Sequence, residues 1–260
     1  MLYPFKYLFY KLFARHKHGF GIHSPFVYDF ITGVLRNREY VEELNLIEEL
    51  RKELLRSGES ITFSEFGSGS RRLHSPQRKI VDIVRYSSMP GKYGRLLYRL
   101  IRFFNPNIIV ELGTSLGIST LYLANANPSS EVYTIEGCPE SARIAVDNFN
   151  RMNVKNIHLK IGRFDKAFSS LLEDLPGVDL IFFDGDHREE STMQYFNEAL
   201  LFKHNGTIFV FDDIHLSKGM ENAWRRIKQD HEVKVTIDLF RLGLVFFRKE
   251  LQKQDFIIRF

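Results

Sequence analysis

Only one cysteine, Cys138, stands among the 260 residues. That excludes an internal disulfide framework and any metal site built on several thiolates, and it suits a reducing, cytoplasmic setting. Long apolar runs are missing too: nothing approaches the roughly 18–20 residues needed to cross a bilayer. There is no internal repeat, no low-complexity tract and no long flexible linker. Hydrophobic residues at 44% and charged residues at 26% are ordinary globular values, which excludes wholesale disorder. Net charge is low as well, at +4, but it is unevenly placed. Arg71, Arg72, Arg78, Lys79, Arg85, Lys92, Arg95, Arg99 and Arg102 share one stretch with only Asp82 against them. Such a stretch is either an anion-binding footprint or a set of solvated helix faces.

What is present is α/β patterning. The opening MLYPFKYLFYKLFARHKHGF spreads Lys6, Lys11, Arg15 and Lys17 among aromatics. These charges break up any signal-peptide core. An amphipathic helix is expected, suited to packing on its own domain, on a second copy of the chain as a homodimer, or on a membrane surface. Residues 24–56 read as helical, with Ser24 capping, Pro25 in the first position and Gly58 past the end. Leu96, Leu97, Leu100, Ile101 and Phe104 recur at helical spacing and predict a helix over 92–104.

From 107 onward short apolar runs alternate with helical segments. Strands are predicted at Ile108–Leu112, Val132–Glu136, Ile157–Ile161, Leu180–Asp184 and Thr207–Phe211. Helices fall between them near 118–126, 139–152, 165–174 and 190–203. Strands apolar on both faces and alternating with helices make a parallel sheet covered on both sides. After a helix near 219–230, Val233–Leu239 and Leu242–Arg248 lie too close for a parallel crossover, so the last strand should run antiparallel. The expected fold is α/β, a doubly wound seven-stranded sheet of five parallel strands followed by a hairpin. A mainly helical, lid-like N-terminal segment over 1–85 precedes the sheet domain over 86–260.

Two glycine-spaced runs compete for a nucleotide. A cofactor loop must sit between a buried strand and a helix whose N-terminus faces the ligand. The first run, SEFGSGSRRLHSP (64–76), fails: Pro76 prevents an uninterrupted helix from starting at the loop. Its expected role is a turn in the N-terminal segment, with Arg71 and Arg72 facing the substrate or simply solvent. The second run, NIIVELGTSLGISTLYLA (107–124), passes. Glu111, Gly113, Thr114, Ser115 and Gly117 follow the strand, and helix continues from Ser119. Nineteen residues beyond Gly117 the next strand ends in Glu136, followed by Gly137, where an acid accepts both ribose hydroxyl protons. The spacing is neither Gly-x-Gly-x-x-Gly nor a triphosphate loop.

In a doubly wound sheet ligands bind beyond the carboxyl ends of the strands. The fourth strand ends in LIFFDGDH, giving Asp184 and Asp186, and the fifth in IFVFDDIH, giving Asp212 and Asp213. Carboxylates that close repel by roughly 4 kcal/mol per pair at an effective dielectric near 20. Either a cation neutralises Asp184, Asp212 and Asp213 or some of them hold protons; otherwise Asp212 or Asp213 caps the following turn. All-oxygen ligation suits Mg²⁺ or a similar divalent ion.

The Glu-x-Gly-x-x-x-Gly run, the later acid and the strand order resemble motif I of class I S-adenosylmethionine-dependent methyltransferases, with Ser115 where a glycine is often found. The strand-tip acids resemble the metal-dependent O-methyltransferases, of the catechol and caffeoyl-CoA type and of the antibiotic-sugar type, over roughly residues 86–248. That resemblance implies S-adenosylmethionine as cofactor and Asp184, Asp212 and Asp213 as the metal set. The catechol type places a lysine where this chain has His187; the sugar type has an Asp-Gly-Asp run in which Asp186 is the base. Candidates for the base are therefore Asp186, then His187, whose residue type has a reference pKa of about 6.5, then His215. Gly162, Arg163 and Asp165 stand where this fold meets the adenine edge, and Asp184 also borders the cofactor. Trp224 is either core, the commoner role of such a tryptophan, or part of the substrate pocket's lining. The expected function is methyl transfer to a small hydroxylated substrate, assisted by a divalent cation. A nucleic-acid methyltransferase is the first rival, disfavoured because DGDH replaces the Pro-Pro-aromatic run of amino-directed enzymes. A non-catalytic binding protein on the same fold is the second.

Overall fold

The computed structural model describes residues 2–14, 19, 21–37, 41–64 and 75–260. Its elements run α1 (Leu2–Phe13), α2 (Pro25–Phe30), α3 (Glu42–Leu54), β1 (Ser60–Thr62), β2 (Gln77–Lys79), α4 (Ile80–Tyr86) and α5 (Gly91–Phe104). Then follow β3 (Ile108–Leu112), α6 (Ile118–Ala126), β4 (Glu131–Glu136), α7 (Pro139–Arg151), β5 (Ile157–Ile161) and α8 (Phe164–Glu173). The chain closes with β6 (Val178–Phe183), α9 (Glu189–Leu200), β7 (Lys203–Phe211), α10 (Lys218–Gln229), β8 (Val235–Asp238), β9 (Gly243–Phe246) and β10 (Gln254–Ile257). They form two compact units, Arg38–Leu171 and Met1–Asn37 with Leu172–Phe260.

In the unit Arg38–Leu171, β3 pairs with β4 and β4 with β5, all parallel. The register sets Leu112 beside Ile135 and Glu136 beside Ile161, so the carboxyl ends that carry the glycine turn and Glu136 are level. Ile109, Val110, Leu112, Val132 and Ile135 are buried, as expected of strands covered on both faces. Helix α6 is buried almost all round. It reaches that position because Gly94 on α5 leaves room for the Tyr122 ring: a Cβ there would lie 2.3 Å from it. The Tyr122 hydroxyl donates to Glu48 on α3.

Three expectations for this unit and the N-terminal stretch before it are corrected. Residues 24–56 are not one helix. Ser24 does cap α2, accepting from the Val27 N–H at 3.4 Å, but the helix widens into a π-turn over Ile31–Leu35 and α3 starts afresh at Glu42. Gly58 lies beyond the end of α3, which closes at Leu54. Helix α4 and the antiparallel pair β1–β2 were not expected. That pair brackets the first glycine run, so the run joins two strands and not a strand to a helix. Gly67, Gly69, Arg71 and Arg72 lie outside the described residues.

The basic stretch is not one surface. Arg78 is buried with its guanidinium 4.0 Å over the Phe63 ring, while Lys79, Arg85 and Lys92 are exposed. Arg95 on α5 pairs with Glu48 on α3 at 3.6 Å. Arg78 and Arg95 are thus committed within the protein, and Lys79, Arg85 and Lys92 are among the exposed members of the described part of the stretch.

In the unit Met1–Asn37 with Leu172–Phe260, β6 and β7 are parallel, β9 lies antiparallel to β7, β8 antiparallel to β9, and β10 parallel to β8. The expected hairpin is present, and its second strand is the one that joins β7. The seven expected strands are all found. An eighth, β10, was missed because its sequence QDFI is short, polar and largely exposed. Helix α1 docks here: Tyr7 and Tyr10 pack against Phe240 at ring separations of 5.0 and 5.2 Å, and the Tyr10 hydroxyl donates to the Ile258 carbonyl at 2.5 Å. Lys6 adds an ion pair with Glu221 at 2.7 Å. Phe5, Leu8, Phe9 and Leu12 on the same helix are exposed. No described helix is long and apolar enough to cross a membrane.

Candidate active site

The glycine turn in Arg38–Leu171 is shaped by three residues at positive φ: Gly113 at 107°, Ser115 at 50° and Gly117 at 81°. This left-handed region is open to glycine and costly for most other residues. Helix α7 braces the turn, with Asn148 Nδ2 donating to the Leu116 carbonyl at 2.9 Å. Glu136 closes it from the neighbouring strand. Its Oε2 accepts from the Ser115 N–H at 2.7 Å and its Oε1 from the Cys138 N–H at 2.8 Å. Burial pushes the Glu136 carboxyl up, opposed by the backbone N–H groups of Cys138, Ser115 and Gly137. A carboxylate offers about four lone-pair sites, so these three donors leave room for another.

Beneath the turn lies Glu111, fully buried. Its Oε2 accepts from Thr120 Oγ1 at 2.5 Å and from Thr134 Oγ1 at 2.7 Å. Thr134 has one O–H and spends it on Glu111, so Thr114, 2.6 Å away, donates to Thr134. Thr114 therefore supports the turn from below. Glu111 Oε1 is buried with no hydrogen-bond partner among the described residues. A buried polar atom left this way is costly unless a ligand or water serves it. Burial raises the Glu111 pKa, against the hydroxyls of Thr120, Ser119 and Thr134, and Glu136 raises it further.

That shift has a testable sign. As pH rises past the unfolded value of about 4.3, the unfolded chain releases a proton that the folded chain keeps, so Glu111 lowers stability progressively until its raised pKa is passed. Glu111→Gln removes the slope. Urea unfolding should show the glutamine variant gaining on the wild type between about pH 4 and pH 7; a gap that stays constant contradicts the shift.

Strand β5 ends beside Glu136, with the Gly162 N–H on the Glu136 carbonyl at 2.9 Å. Arg163 and Asp165 follow and pair with each other at 2.9 and 3.1 Å on the exposed side. Arg163 holds the Asp165 carboxyl below its usual range. Cys138 is buried, accepting from the Ser64 N–H at 3.5 Å and donating to the Thr62 carbonyl at 3.6 Å, which is a packing role.

The other unit gathers the acids. Asp184 follows β6 and Asp212 and Asp213 follow β7, with the Asp212 N–H on the Phe183 carbonyl at 3.0 Å. Asp184 and Asp212 are electrostatic neighbours. Burial, then the Asp212 charge, pushes the Asp184 carboxyl well up. Burial would raise Asp212 as well, but Arg241 outweighs it and Asp212 stays low. Arg241 donates from Nε to Asp212 Oδ1 at 2.8 Å and from Nη2 to Oδ2 at 2.6 Å, and its Nε lies 3.7 Å from Asp213 Oδ1. His187 stands at the rim, its Nε2 3.9 Å from Asp184 Oδ1.

The two other base candidates are engaged elsewhere. Asp186, at φ 48°, is gripped by Arg188, which donates to its oxygens at 2.5 and 2.6 Å. His215 meets Asp238 at 2.8 Å and Glu221 at 3.5 Å and stacks on Phe240. Asp238 also accepts from the Trp224 indole at 3.2 Å, and Trp224 is core as expected. These contacts tie α10 to the β8–β9 hairpin.

A family model described as a methyltransferase domain matches residues 110–214. Over 134 residues the chain is 31% identical to a catechol O-methyltransferase of Niastella koreensis, covering 50% of this chain and 58% of that protein. The chain spans between half and three fifths of the length of the curated relatives it matches. A methyltransferase of Podospora anserina, solved bound to S-adenosylhomocysteine, matches with a TM-score of 0.61 at 14% identity, over 87% of this chain and 97% of that one. An O-methyltransferase of Bacillus cereus in complex with the same molecule matches at 0.56 and 18% identity, over 85% and 96%. Residues 110–214 are thus similar to a methyltransferase domain, on a fold shared with solved methyltransferases.

The turn at 113–117 fits S-adenosylmethionine in its own residues: three open backbone positions, an acid with accepting capacity to spare, and an orphaned buried oxygen. The acids fit a divalent cation poorly. Asp212 has both oxygens on Arg241, whose Nε also lies 3.7 Å from Asp213 Oδ1, and among the described residues no group of three or more His, Cys, Asp or Glu is arranged to hold a metal ion. Sequence reasoning missed Arg241. The signal was its place as the only charged residue in LFRLGL, between the two apolar strands of the hairpin.

Proposed function

We propose that this chain is an S-adenosylmethionine-dependent O-methyltransferase acting on a small hydroxylated substrate. The observation that carries the reading is Glu136, held by the Ser115 N–H of the glycine turn at the end of β4. An acid in that position, with capacity for a further donor, is suited to the hydroxyls of a ribose. The open turn at 113–117 suits a close backbone approach, and Glu111 Oε1 offers an acceptor for an ammonium or a bridging water. When bound, S-adenosylmethionine supplies a methyl carbon on a sulfonium. The chain's part is to orient an acceptor oxygen and take its proton. His187 is our choice for the base, because Asp186 is committed to Arg188 and His215 to Asp238. The catechol O-methyltransferase relative supports a hydroxylated small molecule as acceptor.

Calorimetric titration with S-adenosylhomocysteine tests the cofactor half directly. The wild type should bind, and Glu136→Ala should bind roughly ten- to hundredfold more weakly, the worth of hydrogen bonds to a charged group. Equal affinity in both proteins would remove Glu136 from the site.

A further inference from the structure

Acids gathered at the tips of β6 and β7 need a counter-charge, and the resemblance to metal-dependent enzymes implies a divalent ion. The structure supplies a different cation from the chain itself. Arg241 sits at the tip of the β8–β9 hairpin, and its place there is fixed by backbone contacts. Phe240 takes φ 72°, Leu239 and Leu242 close the turn through an N–H to carbonyl bond of 2.9 Å, and the Arg241 carbonyl accepts from the Ile214 N–H at 3.2 Å. That last bond ties the tip to the residue directly after Asp213. The guanidinium therefore arrives beside the acids by the register of the strands, and it makes the two parallel bonds that suit a carboxylate.

The geometry leaves little for a metal. Asp212 is 0% exposed and both its oxygens accept from Arg241, so an ion reaching it competes with the guanidinium. Asp213 Oδ1 lies 3.7 Å from Nε of the same guanidinium. A Mg²⁺ site needs near-octahedral oxygens around a free centre, and here a fixed cationic group is bonded to both oxygens of Asp212 and stands 3.7 Å from Asp213.

We propose that the guanidinium of Arg241 takes the place of a divalent cation at Asp184, Asp212 and Asp213, so that this site neither binds nor needs Mg²⁺ or Mn²⁺. That the ion is not needed rests on the methyltransferase reading; that it is not bound stands on the geometry alone.

The test is Mn²⁺ titration of the full chain, followed by electron paramagnetic resonance, with S-adenosylhomocysteine affinity measured on the same protein with and without EDTA. The wild type should hold no manganese tighter than about 1 mM, the weak end of protein oxygen sites, and the chelator should change neither its melting temperature nor its ligand affinity. Arg241→Met, which frees the acids, should bind Mn²⁺ at least roughly tenfold more tightly than the wild type and melt at a higher temperature when the ion is added. A wild type that binds one Mn²⁺ and loses it in Asp212→Asn would overturn the proposal, and this measurement does not depend on the stability of the methionine variant. Failure to bind S-adenosylhomocysteine would defeat the methyltransferase reading and is scored separately from the manganese result.

Discussion

Arg241→Met should lower the stability of this protein by about 3–5 kcal/mol, the cost of removing one partner from a buried ion pair. The size follows from what is left behind. Asp212 has no exposed surface and depends on Arg241 for both of its oxygens. Without the guanidinium it must either stay charged in a poor solvent or take up a proton beside Asp184, whose own carboxyl is already pushed well up by burial. Arg241 itself keeps some contact with water, its side chain being 20% exposed, so its own removal costs less than the stranding of Asp212. Combining Arg241→Met with Asp212→Asn should return part of the loss, because the stranded charge goes with it. Urea unfolding of the two single variants and the double variant measures this. Additive losses would mean that the pair is not coupled.

Gly117→Ala is the second large effect, and it strikes the cofactor turn. A Cβ on Gly117 would lie 2.4 and 2.8 Å from two carbons of the Phe149 ring and 3.2 Å from Ala145 Cβ. Both neighbours belong to α7, whose Asn148 braces the same turn, so they cannot retreat without dragging it. The position also sits at φ 81°, where a side chain costs roughly 1–2 kcal/mol, and overpacking adds about 1–3 kcal/mol. The expected result is a loss of about 2–5 kcal/mol in stability and a marked weakening of S-adenosylhomocysteine binding. Gly58→Ala is the control, with nothing within 4 Å of its added Cβ and no positive φ. If the two alanine variants unfold alike, the turn is not under the constraint described here.

The parts legible from sequence were those written in local patterns. Strands such as Ile108–Leu112 and helices such as Ile118–Ala126 came out with their observed limits, because each is mostly apolar and set off by the polar or glycine residues beside it. The glycine turn and Glu136 were readable for the same reason: strand, turn, helix and next strand are contiguous in the chain. Arg241 was not readable. Its partner lies 29 positions away, and their meeting depends on β9 pairing with β7 in the register that sets Gly243 beside Phe211. Asp186 shows the opposite limit, since its grip by Arg188 is local but needs the positive φ of an aspartate that no motif announces. The break between α2 and α3 was hidden by continuous helical spacing, and β10 by a polar sequence at a sheet edge.

The most direct measurement is a crystal structure of the protein grown with S-adenosylhomocysteine and Mn²⁺, with data collected for anomalous scattering. The ligand's ribose hydroxyls should lie within hydrogen-bond distance of Glu136 and its backbone-facing side against the turn at 113–117. Arg241 should keep both bonds to Asp212, with no manganese peak beside Asp184, Asp212 or Asp213. Ligand density away from Glu136, or a manganese peak among the three acids with Arg241 swung out, would contradict the account.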